Sequence, residues 1–184
     1  RSNINAYGTY KPEGSILDIA TDLDKFSISY AQPMLSDVFS EMEGNISGNI
    51  DLSGPISNLA ITSNDTRLED GLLRVAYTNV PYKAEGTFHL DETGAHFDDF
   101  KIRDNYTGTG TITGSINWDR LRNMTFNTSI SIDELEGINI LESNNDGVYG
   151  RVFGTGNISL TGPMNSILLS IDAVTAKEGQ LHIP

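Results

Sequence analysis

Polar and apolar positions alternate along most of this chain. "NISGNIDLSG" places Ile46, Ile50 and Leu52 on one side, with Asn, Ser and Asp mostly on the other. "TITGSINW" does the same with Ile112, Ile116 and Trp118, and "FNTSISI" with Phe126, Ile130 and Ile132. "GNISLTG" repeats the pattern with Ile158 and Leu160, and "LLSIDAV" with Leu169, Ile171 and Ala173. A period of two predicts strands with one apolar and one solvated face, the habit of antiparallel sheets. The polar positions are rich in Thr, which suits a pleated surface, and in Ser and Asn, which favour the turns between strands.

Turn signals punctuate these runs: Gly54-Pro55, Asp70-Gly71, Glu85-Gly86, Thr93-Gly94, Glu136-Gly137, Asp146-Gly147, Gly162-Pro163 and Glu178-Gly179. Short strands so spaced predict an all-β meander, sandwich, barrel or solenoid. One stretch departs from the period. "QPMLSDVFSEM" offers Pro33 as a first helical residue and carries Met34, Leu35, Val38, Phe39 and Met42 on one stripe. It predicts a short amphipathic helix capping one end of the apolar face.

The strand wording also recurs. "GNIDLSGP" from Gly48 returns 108 residues later as "GNISLTGP" from Gly156, and "GNISG" from Gly44 returns 66 residues later as "GTITG" from Gly110. The two offsets share no short period, so the pattern is a recurring hairpin idiom with variable insertions rather than a strict solenoid. Gly48 and Gly156 are expected bend or bulge positions, and the Gly-Pro pairs are expected corners.

Length and charge narrow the class. The 184 residues, 38% hydrophobic, suffice for a single β-rich domain spanning residues 1–184. A net charge of -13 without Lys/Arg clusters excludes the electrostatic footprint of a nucleic-acid binder. The absence of cysteine removes disulfides, thiolate chemistry and Cys-based zinc sites. No apolar run approaches the ~20 residues of a membrane-spanning helix. "RSNINAYGTY" lacks a signal-peptide pattern and an initiator Met, so the chain is expected to be a piece of a longer protein whose anchor lies elsewhere.

Catalytic signatures are sparse. His89, His96 and His182 show no metal-ligand spacing, and no Ser occurs in GxSxG. "HLDETGAHFDDF" gathers His89, Asp91, Glu92, His96, Asp98 and Asp99, which a hairpin could bring to a divalent cation; a solvated hairpin tip explains the same residues. "ESNNDG" lacks the acidic alternation of a calcium loop, and "GTGTITG" sits inside a β pattern where glycines mean bulges. Glycosylation sequons occur at Asn45, Asn64, Asn105, Asn123, Asn127 and Asn157, expected by chance in a chain this rich in Asn, Ser and Thr. Neither catalysis, a cofactor nor a bound metal is expected. The apolar face then poses the main question, because it must close on itself as a sandwich or barrel, or remain a trough for an apolar ligand.

Three segments carry a family resemblance. "LEDGLLRVAYTNVPY", "KIRDNYTGTGTITGSI" and "NNDGVYGRVFGTGNISLTGPMNSILLSIDAVTAKEGQLHIP" resemble, in this order along the chain, the C-terminal domain of the TamB family of translocation and assembly module subunits. The likeness runs from about Gly44 to Pro184. The resemblance implies an elongated, curled, antiparallel-rich sheet, a β-taco or half-open barrel with an apolar concave groove. It also implies a non-enzymatic role in the periplasm of a Gram-negative bacterium, within a protein anchored in the inner membrane by a segment outside this chain. There the groove would shield phospholipid acyl chains or outer-membrane-protein client strands, working with a BamA-like outer-membrane β-barrel. The residues expected to line it are Ile46, Ile50, Leu52, Leu59, Ile61, Phe88, Leu90, Phe100, Ile102, Ile112, Ile116, Trp118, Phe126, Ile130, Ile132, Val152, Ile158, Leu160, Leu169 and Ile171. The competing expectation is a closed β-sandwich or barrel serving as a surface adhesin or carbohydrate-binding module.

Overall fold

The computed structural model describes residues 3–119, 122–142, 149–176 and 179–182, with the side chains of Met34 and Arg122 left aside. The expected turns at Asp146-Gly147 and Glu178, and most of "ESNNDG", fall outside these residues. The strands are β1 (Asn3–Lys11), β2 (Ile16–Ser27), β3 (Phe39–Pro55), β4 (Ala60–Val75), β5 (Pro81–Asp91), β6 (Gly94–Arg103), β7 (Thr109–Asp119), β8 (Arg122–Ile140), β9 (Tyr149–Pro163), β10 (Leu168–Thr175) and β11 (Gln180–His182). They form one antiparallel sheet in the order of the chain, β1 to β10, with β11 beside β9. The protein is all-β, and the sheet is not closed into a barrel.

The apolar alternation keeps one face because interruptions of the period are absorbed as bulges. In Leu23-Asp24-Lys25-Phe26, Phe97-Asp98-Asp99-Phe100 and Ile132-Asp133-Glu134-Leu135, two polar residues oppose a single residue of the neighbouring strand. Ser63-Asn64-Asp65-Thr66 and Leu68-Glu69-Asp70-Gly71 do the same against β5. Each extra residue restores the inward direction of the next apolar side chain and increases local twist. Lys25, Asp70 and Glu134 adopt φ of 55°, 51° and 48° at these points. The opposing hydroxyls cap two of them: Ser47 Oγ accepts from Lys25 N at 3.1 Å, and Thr155 Oγ1 from Glu134 N at 2.9 Å.

The core lies at the centre of the inward face, where Ile28, Met42, Leu68, Ala84, Phe100, Ile102, Ile132 and Leu135 are buried together. The expected helix is displaced. A 3-10 helix occupies Ile28–Met34, with Ser27 Oγ accepting from Ser29 N and Pro33 inside it, and the chain is already in β3 by Phe39. The stripe belongs partly to a different element: Phe39 and Met42 reach the core from a strand paired to Val75 and Leu73. Both residues satisfy a 3.6 and a bulged 2.0 period over so short a window, and pairing with β4 decides between them.

Candidate hydrophobic trough

Inward rows run across the sheet, strand by strand. Phe100, Ile112, Ile130, Ile158 and Ile171 are successive partners from β6 to β10. Parallel to this row, Leu90, Ala95, Ile116 and Phe126 align from β5 to β8, and Ile19, Leu52 and Ile61 from β2 to β4. Leu160 faces Leu169, Ile46 faces Leu68, and Val152 faces Ile138. Phe88 joins Phe97, with ring centroids 6.0 Å apart, and Phe97 meets Phe100 edge-on at 5.6 Å.

Burial falls from the centre towards the rim. Phe100, Ile102, Phe126 and Ile132 are buried. Ile46, Ile50, Leu52, Leu59, Ile61, Phe88, Leu90, Ile112, Ile116, Trp118, Ile130, Val152, Ile158 and Leu160 are half-buried. Leu169 and Ile171, on the rim strand β10, are 51% and 60% exposed. Leu59 sits in the turn before β4 rather than in a strand. Sequence reasoning placed Met42 on the wrong element and missed Leu68, Ala84, Phe97 and Leu135, three of which flank a bulge where the period of two breaks, and it missed the inward residues of β2, whose "ILDIATDLDKF" reads as weakly alternating.

One end of the curl is clasped by polar contacts. Tyr82 of β5 donates to Glu136 O of β8 at 2.6 Å, Asn139 N donates to Thr78 O at 3.0 Å, and Asn79 Nδ2 donates to Asn139 O at 3.2 Å. Asp104 Oδ2 accepts from Glu136 N at 2.9 Å, while its Oδ1 accepts from Tyr106 N and Gly108 N. The Glu136 side chain, 1% exposed, meets Arg151 Nε at 3.0 Å. Burial pushes the Glu136 carboxyl up, against the pull of Arg151 and with a further push from Asp104. Burial, reinforced by Glu136 and Asp104, also raises the Tyr82 phenol. These groups tie β5, β8 and β9 to the β4–β5 turn and the β6–β7 loop.

The outward face carries Thr, Ser and Asn rows such as Thr111, Ser131, Asn157 and Asp172. The acidic hairpin at β5–β6 brings only part of its residues together. His89 and His96 stack at 4.6 Å, and His96 Nε2 lies 3.0 Å from Asp91 Oδ2. The Thr93 hydroxyl, aided by Thr93 N and His96, holds Asp91 down to about 2 despite some desolvation. Asp98 and Asp99 are bulge residues, and Asp99 pairs with Lys101. Among the described residues no group of three His, Asp or Glu is arranged around a cation position. An outer hollow lined by Asp70, Lys83, Glu85, Lys101 and Arg103 is a mixed-charge surface, with Arg103 paired to Glu85 at 2.8 Å. Comparison with family models, curated proteins and solved structures gives no match for this chain.

Proposed function

We propose that this protein is a non-enzymatic trough of the TamB-like kind, shielding phospholipid acyl chains or the apolar faces of outer-membrane-protein strands in transit through the periplasm. The observation that supports this reading is the inward row from buried Phe100 to exposed Ile171, which stays apolar while the sheet stays open. An acyl chain against such a row needs no polar partner, and each buried methylene contributes roughly 0.8 kcal/mol. In the same reading a BamA-like outer-membrane barrel receives the cargo.

Native mass spectrometry and organic extraction of the purified chain test the proposal. Co-purifying phospholipid is expected, together with saturable uptake of a fluorescent fatty acid. Leu160→Asp or Ile116→Asp should keep the strand signature in circular dichroism and lose the lipid. Protein that emerges lipid-free and takes up no probe, or variants that unfold outright because those side chains are ordinary core, would sink it.

A further inference from the structure

One inward row departs from the apolar rule of the trough. From β3 to β8 it reads Gly48, Thr66, Phe88, Phe97, Gly114 and Thr128. The Phe88 and Phe97 rings, 6.0 Å apart, stand at its middle, with a threonine and a glycine on either side. On one flank of the row lie Leu68 and Phe100 of the packed core, and on the other Leu90 and Ile116, which are half-buried.

Both threonines are buried, Thr66 at 0% and Thr128 at 7% exposure, and among the described residues neither Oγ1 has a hydrogen-bond partner. Other inward hydroxyls are satisfied by the backbone: Thr21 donates to Ile50 O at 2.6 Å, and Ser63 Oγ accepts from Leu90 N at 3.1 Å. Each unpaired threonine also adjoins a glycine in the left-handed region, Gly48 at φ 133° and Gly114 at φ 105°. A Cβ on either glycine would come within 3.0 Å of the threonine Cα, so no side chain stands directly beside the threonine there. Packing does not call for threonine at these two places, because valine has the same outline and no polar atom to bury.

An unpaired donor on an apolar face suits an acceptor that brings no donor of its own, and a lipid ester carbonyl is such a group. A client strand fits less well, because nearly every residue of it also brings an N–H that needs an acceptor. We propose that Thr66 and Thr128 are the trough's hydrogen-bonding positions for acyl ester carbonyls, each hydroxyl donating to one carbonyl. Admitting the carbonyl requires the half-buried rings of Phe88 and Phe97 to turn aside. The inference rests on the reading of the sheet as a lipid trough, and adds the residues that tell an ester lipid from its ether counterpart.

Competition for a fluorescent phospholipid bound by the purified chain tests it. Diacyl phosphatidylethanolamine and its dialkyl ether analogue, matched in chain length, differ only at the ester carbonyls. The diacyl lipid should displace the probe at about two- to tenfold lower concentration for each hydrogen bond gained. Thr66→Val and Thr128→Val should each reduce that ratio, and the double variant should bring it to one. Thr66→Ser and Thr128→Ser, which keep the hydroxyl, should preserve it. Equal displacement by the two lipids in the wild-type chain, which needs no variant, would overturn the inference and leave the trough standing. A ratio that survives in the double valine variant would do the same. A chain that binds neither the probe nor either lipid would overturn the trough reading itself, and this inference with it.

Discussion

At the scale of the residue, the glycines of the repeated motif resist replacement. Gly48 and Gly156 adopt φ of 133° and 154°, and a Cβ on either would run into a neighbouring carbonyl, Asp65 O or Asp172 O. Gly48→Ala or Gly156→Ala should therefore lower stability by about 1–3 kcal/mol in a urea titration. Gly137→Ala is the contrasting case: its nearest obstacle is Val152 O at 3.9 Å, so the substitution should leave stability level or raise it by about 0.4–1 kcal/mol. Glu136 supplies a pH-dependent residue. Its raised folded-state pKa means that the native protein holds the proton to higher pH than the unfolded chain does. The associated stabilisation is full below the ordinary value of 4.5 and is lost as pH rises through the folded value. Glu136→Gln removes this dependence, so wild type should lose stability relative to the variant as pH is raised from about 4 to about 7. Melting temperatures of the pair across that range check the sign.

At the scale of the element, the bulges decide the face. The acidic pair Asp98-Asp99, which the sequence offers as a ligand cluster, spaces Phe97 and Phe100 so that both point inward. Deleting Asp99 removes the extra residue and leaves Phe97 and Phe100 two apart in a regular strand, both still inward. The fold should survive the deletion and lose only the bulge's local twist, at about 0.5–3 kcal/mol, read as a lowered urea midpoint with the cooperative transition kept. Asp98→Asn keeps the count of residues and should stay within about 0.5 kcal/mol of wild type. The 3-10 helix Ile28–Met34 belongs to the same scale: it puts Ile28 over the inward face that β3 and β4 leave open at that end.

At the scale of the molecule, the sheet grades from a packed centre to bare rims. Its clasped end is held by Tyr82, Glu136, Asn79 and Asn139 between strands that are not neighbours in the sheet. Tyr82→Phe deletes the bond to Glu136 O, which should cost about 0.5–1.5 kcal/mol and raise amide exchange at the β4–β5 turn ahead of the centre. The rims behave differently: Ile4, Tyr10, Leu169 and Ile171 stand more than half exposed there.

The alternation of Ile, Leu and Phe with Thr, Ser and Asn already dictated strands, an antiparallel sheet and one apolar face, because side chains on a strand alternate whatever surrounds them. The two Gly-Pro corners were equally legible, since both glycines reach the same φ of 102°. Register across the bulges was not legible: an acidic pair between apolar residues reads as a loop or a ligand cluster until a neighbouring strand spends one residue against its two. Nor was the position of the short helix, where local propensity yielded to pairing with β4. The openness of the sheet rested on the tertiary structure alone. Local alternation is the same in a barrel and a trough, and the difference lies in whether the first and last strands meet.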